Sequence, residues 1–193
     1  VNNDATRVEV NTISAEMAKV RDYVPDYAVM AHRGSTFWAP EETESAWRWA
    51  REMGADYLES DLQCTKDGVI LANHDDNLKR TTNIENVYSE LVPATRKAFY
   101  MRHGMSEAEA EKLVAADKAS FRPYYAMSYM YEELLALDAG SWFNETSIEQ
   151  ARESFSEQHQ YISALEDQIR YAEGKMLARD ADGERILSLI HIS

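Results

Sequence analysis

Between Ala31 and Asn83 the sequence sets two histidines, His32 and His74, each next to a charged residue, and two carboxylates at strand spacing, Glu59 and Asp61. An imidazole titrates at about pH 6.5, so two of them can supply an acid and a base near neutrality. On a strand, residues two apart face the same way. Two carboxylates so placed repel each other unless a proton or a cation lies between them. Oxygen ligands of this kind suit Mg²⁺ or Ca²⁺. Arg33 can grip a phosphate through two parallel hydrogen bonds. Acid, base, cation ligands and an anion clamp together point to metal-assisted cleavage of a phosphate ester. Taken singly, each signal has a bland reading: Glu-x-Asp is most often a solvated strand face, and a lone histidine is more often structural. Their coincidence at matching strand ends favours chemistry.

The elements that must position these residues read as β–α–β–turn–β. Tyr27–His32 is a short apolar strand. Glu41–Met53 is a helix with Ala46, Trp49, Ala50 and Met53 on one face and Gly54 after its end. Asp56–Gln63 alternates as a single strand, Lys66–Gly68 is a turn, and Val69–His74 is a third strand. His32 and His74 thus close the first and third strands, the end at which α/β barrels keep their active sites. Upstream, Thr12–Arg21 reads as a short helix. Downstream, Leu91–Arg102, Ser106–Ala119, Glu132–Leu137 and Ile162–Met176 read as helices, with a capping box at Ser106 and Glu109. No fourth strand is expected.

Composition narrows the function classes. The chain has 193 residues, 45% hydrophobic and 28% charged, as for an ordinary globular domain with a core. A net charge of −14 argues against nucleic-acid binding, which needs a basic surface. The single Cys64 allows no internal disulfide and reads as a small strand residue. No run is long and apolar enough to span a membrane. The chain opens at Val1, as after removal of a leader or in a fragment. The last residues, Leu187–Ser193 (LSLIHIS), read as the translation of a library-adapter end, so 187–193 is expected to be a non-native tail.

Several ordered segments resemble the glycerophosphodiester phosphodiesterase family. They are HRG at His32–Gly34, PEET at Pro40–Thr43, GADYLESDLQCTKDG at Gly54–Gly68 and HDDNLKRTTN at His74–Asn83. YEELLALDAGSWF at Tyr131–Phe143 and ISALED at Ile162–Asp167 fit the same pattern. The resemblance implies an α/β fold of TIM (β/α)8-barrel type, of which residues 1–186 would be the N-terminal part. It implies hydrolysis of a small-molecule glycerophosphodiester to an alcohol and glycerol 3-phosphate, with a divalent cation, Ca²⁺ or Mg²⁺. By motif, His32 and His74 correspond to the catalytic histidines, Arg33 to the phosphate-contacting arginine, and Glu59 and Asp61 to two metal ligands. Glu41, of the Pro-Glu motif, would support the substrate site from nearby; equally, it is a carboxylate favoured by the first turn of a helix.

Three departures stand out. Glu42 replaces the usual Asn of the PENT motif. Residues 84–130 read as a helical insertion, whose Phe121–Tyr131 aromatics would either cover the substrate as a lid or pack on the barrel. The later strand that carries a third metal carboxylate has no counterpart. Two further readings follow: a non-catalytic metal- or phosphate-binding module, and a truncated, inactive piece of an enzyme. The family suggests a periplasmic or other extracytoplasmic location.

Overall fold

The computed structural model of the chain describes residues 27–179 and 185–191. The expected helix at Thr12–Arg21 lies outside them. The fold class is α/β. Two-residue strands β1 (Met30–Ala31) and β2 (Tyr57–Leu58) pair in parallel, with helix α1 (Glu44–Glu52) as their crossover. Strand β3 (Leu62–Cys64) turns back through Lys66–Gly68 into β4 (Ile70–Ala72), and β4 also pairs antiparallel with β5 (Ser163–Ala164). Gly68 adopts φ 87°, which the tight turn between β3 and β4 requires.

The expected single strand over Asp56–Gln63 is in fact two. β2 and β3 belong to different sheets, and Glu59–Asp61 is the break between them. Backbone pairing changes partner there: Glu59 N–H donates to Ala31 O, while Asp61 O accepts from Asn73 N–H. Local alternation continues through the break and cannot register it.

The apolar face of α1 is also rotated from the expected one. Ala46, Trp47 and Ala50 are buried, whereas Trp49 and Met53 are exposed. Trp47 packs with Ala72, Tyr171 and Leu58, and Ala46 packs with Ala39, Phe143 and Phe155. Burial of a large indole outweighs the local stripe. Cys64, in β3, is exposed.

The insertion folds as α2 (Ile84–Val87), α3 (Arg96–Arg102) and α4 (Glu107–Ser120), the last opened by the expected Ser106–Glu109 capping box. Its aromatics are packing residues. Tyr129 lies in a core with Leu71, Leu78, Ile84, Leu134, Leu137 and Ile162, against which Tyr88, Phe121, Tyr124 and Tyr131 also pack. Then come α5 (Tyr131–Leu134), α6 (Ser141–Thr146) and α7 (Ser154–Glu157).

The region Ile162–Met176, expected as one helix, splits into β5, α8 (Leu165–Ala172) and the start of β6 (Lys175–Arg179). β6 pairs antiparallel with β7 (Arg185–His191), which overlaps the segment expected to be a non-native tail. The described residues therefore hold strands beyond the three expected. No helix among the described residues is long and apolar enough to cross a membrane.

Candidate active site

The site is built on the turn after β1. Gly34, at φ 86°, lets the chain fold against α1; a Cβ there would lie 2.7 Å from the Ala46 side chain. This close approach aims His32 and Arg33 toward the break between β2 and β3. Arg33 N–H donates to Glu59 Oε2 at 2.9 Å, and His32 Nε2 lies 4.0 Å from the same oxygen. His32, Glu59 and Asp61 each offer a ligand atom, all within 4.8 Å of one another. Glu59 and Asp61 thus converge as expected, although they do so from a strand break.

The donor set fits a divalent cation: two hard carboxylates and an imidazole, half open to solvent. Asp61 Oδ2 faces Arg33. It is buried and accepts no hydrogen bond, because Arg33 Nε faces it at 2.9 Å without its N–H being aimed at it. The Arg33 guanidinium is thus the positive partner of this oxygen, as an ion pair rather than an aligned hydrogen bond.

Arg33 also reaches Glu41 Oε1 at 3.3 Å. The residue expected to hold a phosphate is therefore held between two carboxylates. Glu41 is shared. Its two oxygens accept from Arg80 Nη2 at 2.6 Å and from Nη1 at 3.1 Å. The other side of Arg80 binds Asp75, with Nε to Oδ2 at 2.6 Å. Asp75 Oδ1 in turn lies 2.5 Å from His74 Nδ1. His74 is not part of the cation cluster. It joins the site through the chain Asp75–Arg80–Glu41–Arg33.

Electrostatics follow these contacts. Arg80, chiefly, holds the Asp75 carboxyl down at about 2, with His74 assisting. The paired carboxylates push Arg80 further up. Glu42 behaves oppositely. Burial lifts its carboxyl to about 7, helped by the charges of Asp61 and Glu59, although hydrogen bonds from Ser60 and the Asp61 backbone partly offset this. Glu42 Oε1 accepts from Asp61 N–H at 2.8 Å and Oε2 from Ser60 Oγ at 2.5 Å. The departure from PENT thus pins the strand break itself.

Asp75, Arg80 and Glu42 were not among the residues singled out by sequence. Asp75 and Arg80 lie inside the HDDNLKRTTN segment, so position within a motif was the available signal. Glu42 was visible only as a departure from PENT, read as a neighbour rather than a ligand.

Comparison with known proteins agrees with the segments noted above. Residues 32–186 match the model of the glycerophosphoryl diester phosphodiesterase family. A glycerophosphodiester phosphodiesterase of Bacillus subtilis is 31% identical over 126 residues, covering 65% of this chain and 30% of that protein. A glycerophosphoinositol inositolphosphodiesterase of Mus musculus is 28% identical over 160 residues, covering 80% of this chain and 24% of that protein. The chain therefore spans less than a third of the length of these relatives. Among solved structures, an Oleispira antarctica phosphodiesterase in complex with the product sn-glycerol-3-phosphate aligns with a TM-score of 0.49 and 24% identity, over 79% of this chain and 42% of that one.

Proposed function

Because the chain belongs to the glycerophosphoryl diester phosphodiesterase family, we propose that it is part of a hydrolase that uses Ca²⁺ or Mg²⁺ to cleave glycerophosphodiesters to an alcohol and glycerol 3-phosphate. The supporting observation is the cluster of His32, Glu59 and Asp61 within 4.8 Å, on residues that the family match covers. A cation held by the Glu59 and Asp61 carboxylates would neutralise a phosphate oxygen and polarise phosphorus, leaving the neighbouring His32 ring free for proton transfer.

The remaining roles fall to side chains. Arg33 turns from its carboxylates to the incoming phosphate, whose charge and paired oxygens suit a guanidinium. His32 and His74 share the proton transfers. One takes a proton from the attacking water or substrate hydroxyl, and the other gives one to the leaving alkoxide. Asp75 is ionised and so accepts only; the neutral His74 ring therefore carries its proton on Nδ1 and presents Nε2. Glu41 keeps the guanidiniums of Arg33 and Arg80 in register.

Release of glycerol 3-phosphate from glycerophosphocholine tests the reading. It would be measured for this chain and for a version extended to the relatives' catalytic length, with each cation and with EDTA. The expected result is cation-dependent release, lowered about 10²–10⁴-fold in kcat by His32→Ala or His74→Ala. Cation binding without turnover in both forms would replace it with the binding-module reading.

A further inference from the structure

Arg80 binds two acids that otherwise serve different halves of the site. Its Nε and Nη2 fix Asp75, the carboxylate at His74 Nδ1, and its Nη1 and Nη2 fix Glu41, which holds Arg33. All its contacts are charge-assisted and in the forked geometry that suits a guanidinium to a carboxylate. The Arg80 side chain is 43% exposed, and no apolar cluster includes it. Its head is partly in water, and Glu41, the more enclosed of its two acids, keeps Arg33 as a second cation, so loss of Arg80 costs the fold less than loss of an enclosed arginine would. Its geometry is that of an alignment device.

We propose that Arg80 is a positioning residue that sets the Asp75 carboxylate at His74 and the Glu41 carboxylate at Arg33, so that the proton-transfer group and the phosphate-binding group are aligned as one unit. This rests on the glycerophosphodiesterase reading for its kinetic consequence, while its structural consequence stands alone. Without the Arg80 Nε contact, the Asp75 carboxylate is free to rotate toward water, and His74 Nδ1 loses its fixed acceptor. The ring then samples both neutral tautomers. Glu41, left without its second guanidinium, has only Arg33 to compensate its charge and so competes with the phosphate for that arginine.

The test uses Arg80→Gln and Arg80→Lys in this chain, followed by ¹⁵N NMR of the His74 ring (assigned with His74→Gln), thermal unfolding, and glycerophosphodiester turnover. The expected result is a single Nδ1–H tautomer in the unmodified chain and a mixture in Arg80→Gln, with the unfolding midpoint unchanged. Turnover should fall about 10–100-fold, as for other residues that orient a ligating or reacting group, with kcat affected more than KM. Arg80→Lys, which keeps the charge but not the fork, should recover only part of this. An unchanged tautomer in Arg80→Gln, or a loss of turnover that merely follows a lowered unfolding midpoint, would overturn the proposal. If the unmodified chain and its extended form turn over no glycerophosphodiester, the functional reading fails and the tautomer measurement still decides the role of Arg80.

Discussion

Two arginine-centred networks, similar in chemistry, sit in different regions of this molecule. Arg96 lies in the helical insertion with its side chain 1% exposed. It donates to both oxygens of Glu133, to Asp117 Oδ2 and to the Ser128 carbonyl. Asp117 also receives Tyr100 and pairs with Lys66 of the hairpin turn at 2.8 Å. Burial alone would raise the Asp117 carboxyl, but its hydrogen bonds from Lys66, Arg96 and Tyr100 hold it below the usual range. Every group in this network has a partner within the protein. The Arg80 network is open to water at its His74 end, runs inward to the more enclosed Arg33, and finishes on two groups that can still meet a ligand. Closed and buried, such a network ties the insertion to the β3–β4 hairpin and to α5. Open and half-exposed, it has partners left for a ligand.

Cutting the closed network should have the largest effect. Arg96→Met leaves Asp117 and Glu133 buried without their main cation, and stability should fall by roughly 3–5 kcal/mol. Urea unfolding measures this; a midpoint like that of the unmodified chain would erase the contrast with Arg80.

Next comes Glu42, which belongs to the site yet is nearly as buried as Arg96. Its folded carboxyl is raised from the ordinary 4.5 to about 7. Folding therefore favours the protonated form. That contribution is complete below pH 4.5 and is lost as the pH rises through 7. In EDTA, Glu42→Gln should gain on the unmodified chain across this window, by up to roughly 3 kcal/mol at about 1.4 kcal/mol per unit. A gap that does not vary with pH would mean that burial does not dominate at Glu42.

The smallest effect is expected at Lys97, whose ammonium meets Glu107 and Glu111 on the outer face of the insertion. It is neither enclosed nor near the site. Lys97→Ala should leave both the unfolding midpoint and turnover unchanged, and a clear loss of either would show that exposed pairs matter here more than the comparison allows.

Much of the site was legible because its residues are local to motifs. His32, Arg33, Glu59 and Asp61 could be named, and the structure brings them together. What periodicity misread were the places where the chain changes partners. A strand that leaves one sheet for another keeps its alternation, so the Glu59–Asp61 break has no local signature. β5 is too short to show a period, and the helix that follows it absorbed it. The face of α1 moved because Trp47, adjacent to the expected stripe, packs with Ala72 and Tyr171.

The sequence by itself determined the family, the β–α–β opening, the Lys66–Gly68 turn, the cap at Ser106 and the main reactive side chains. Each of these depends on neighbours a few positions apart. Only the tertiary structure decided that Glu41 serves two arginines, that Glu42 pins the strand break, and that the insertion's aromatics are core. Those outcomes depend on contacts across long separations, 39 positions for Arg80 with Glu41 and 37 for Arg96 with Glu133. A carboxylate's charge is written in the chain; which guanidinium it meets, and how much water remains there, is settled only when distant segments pack together.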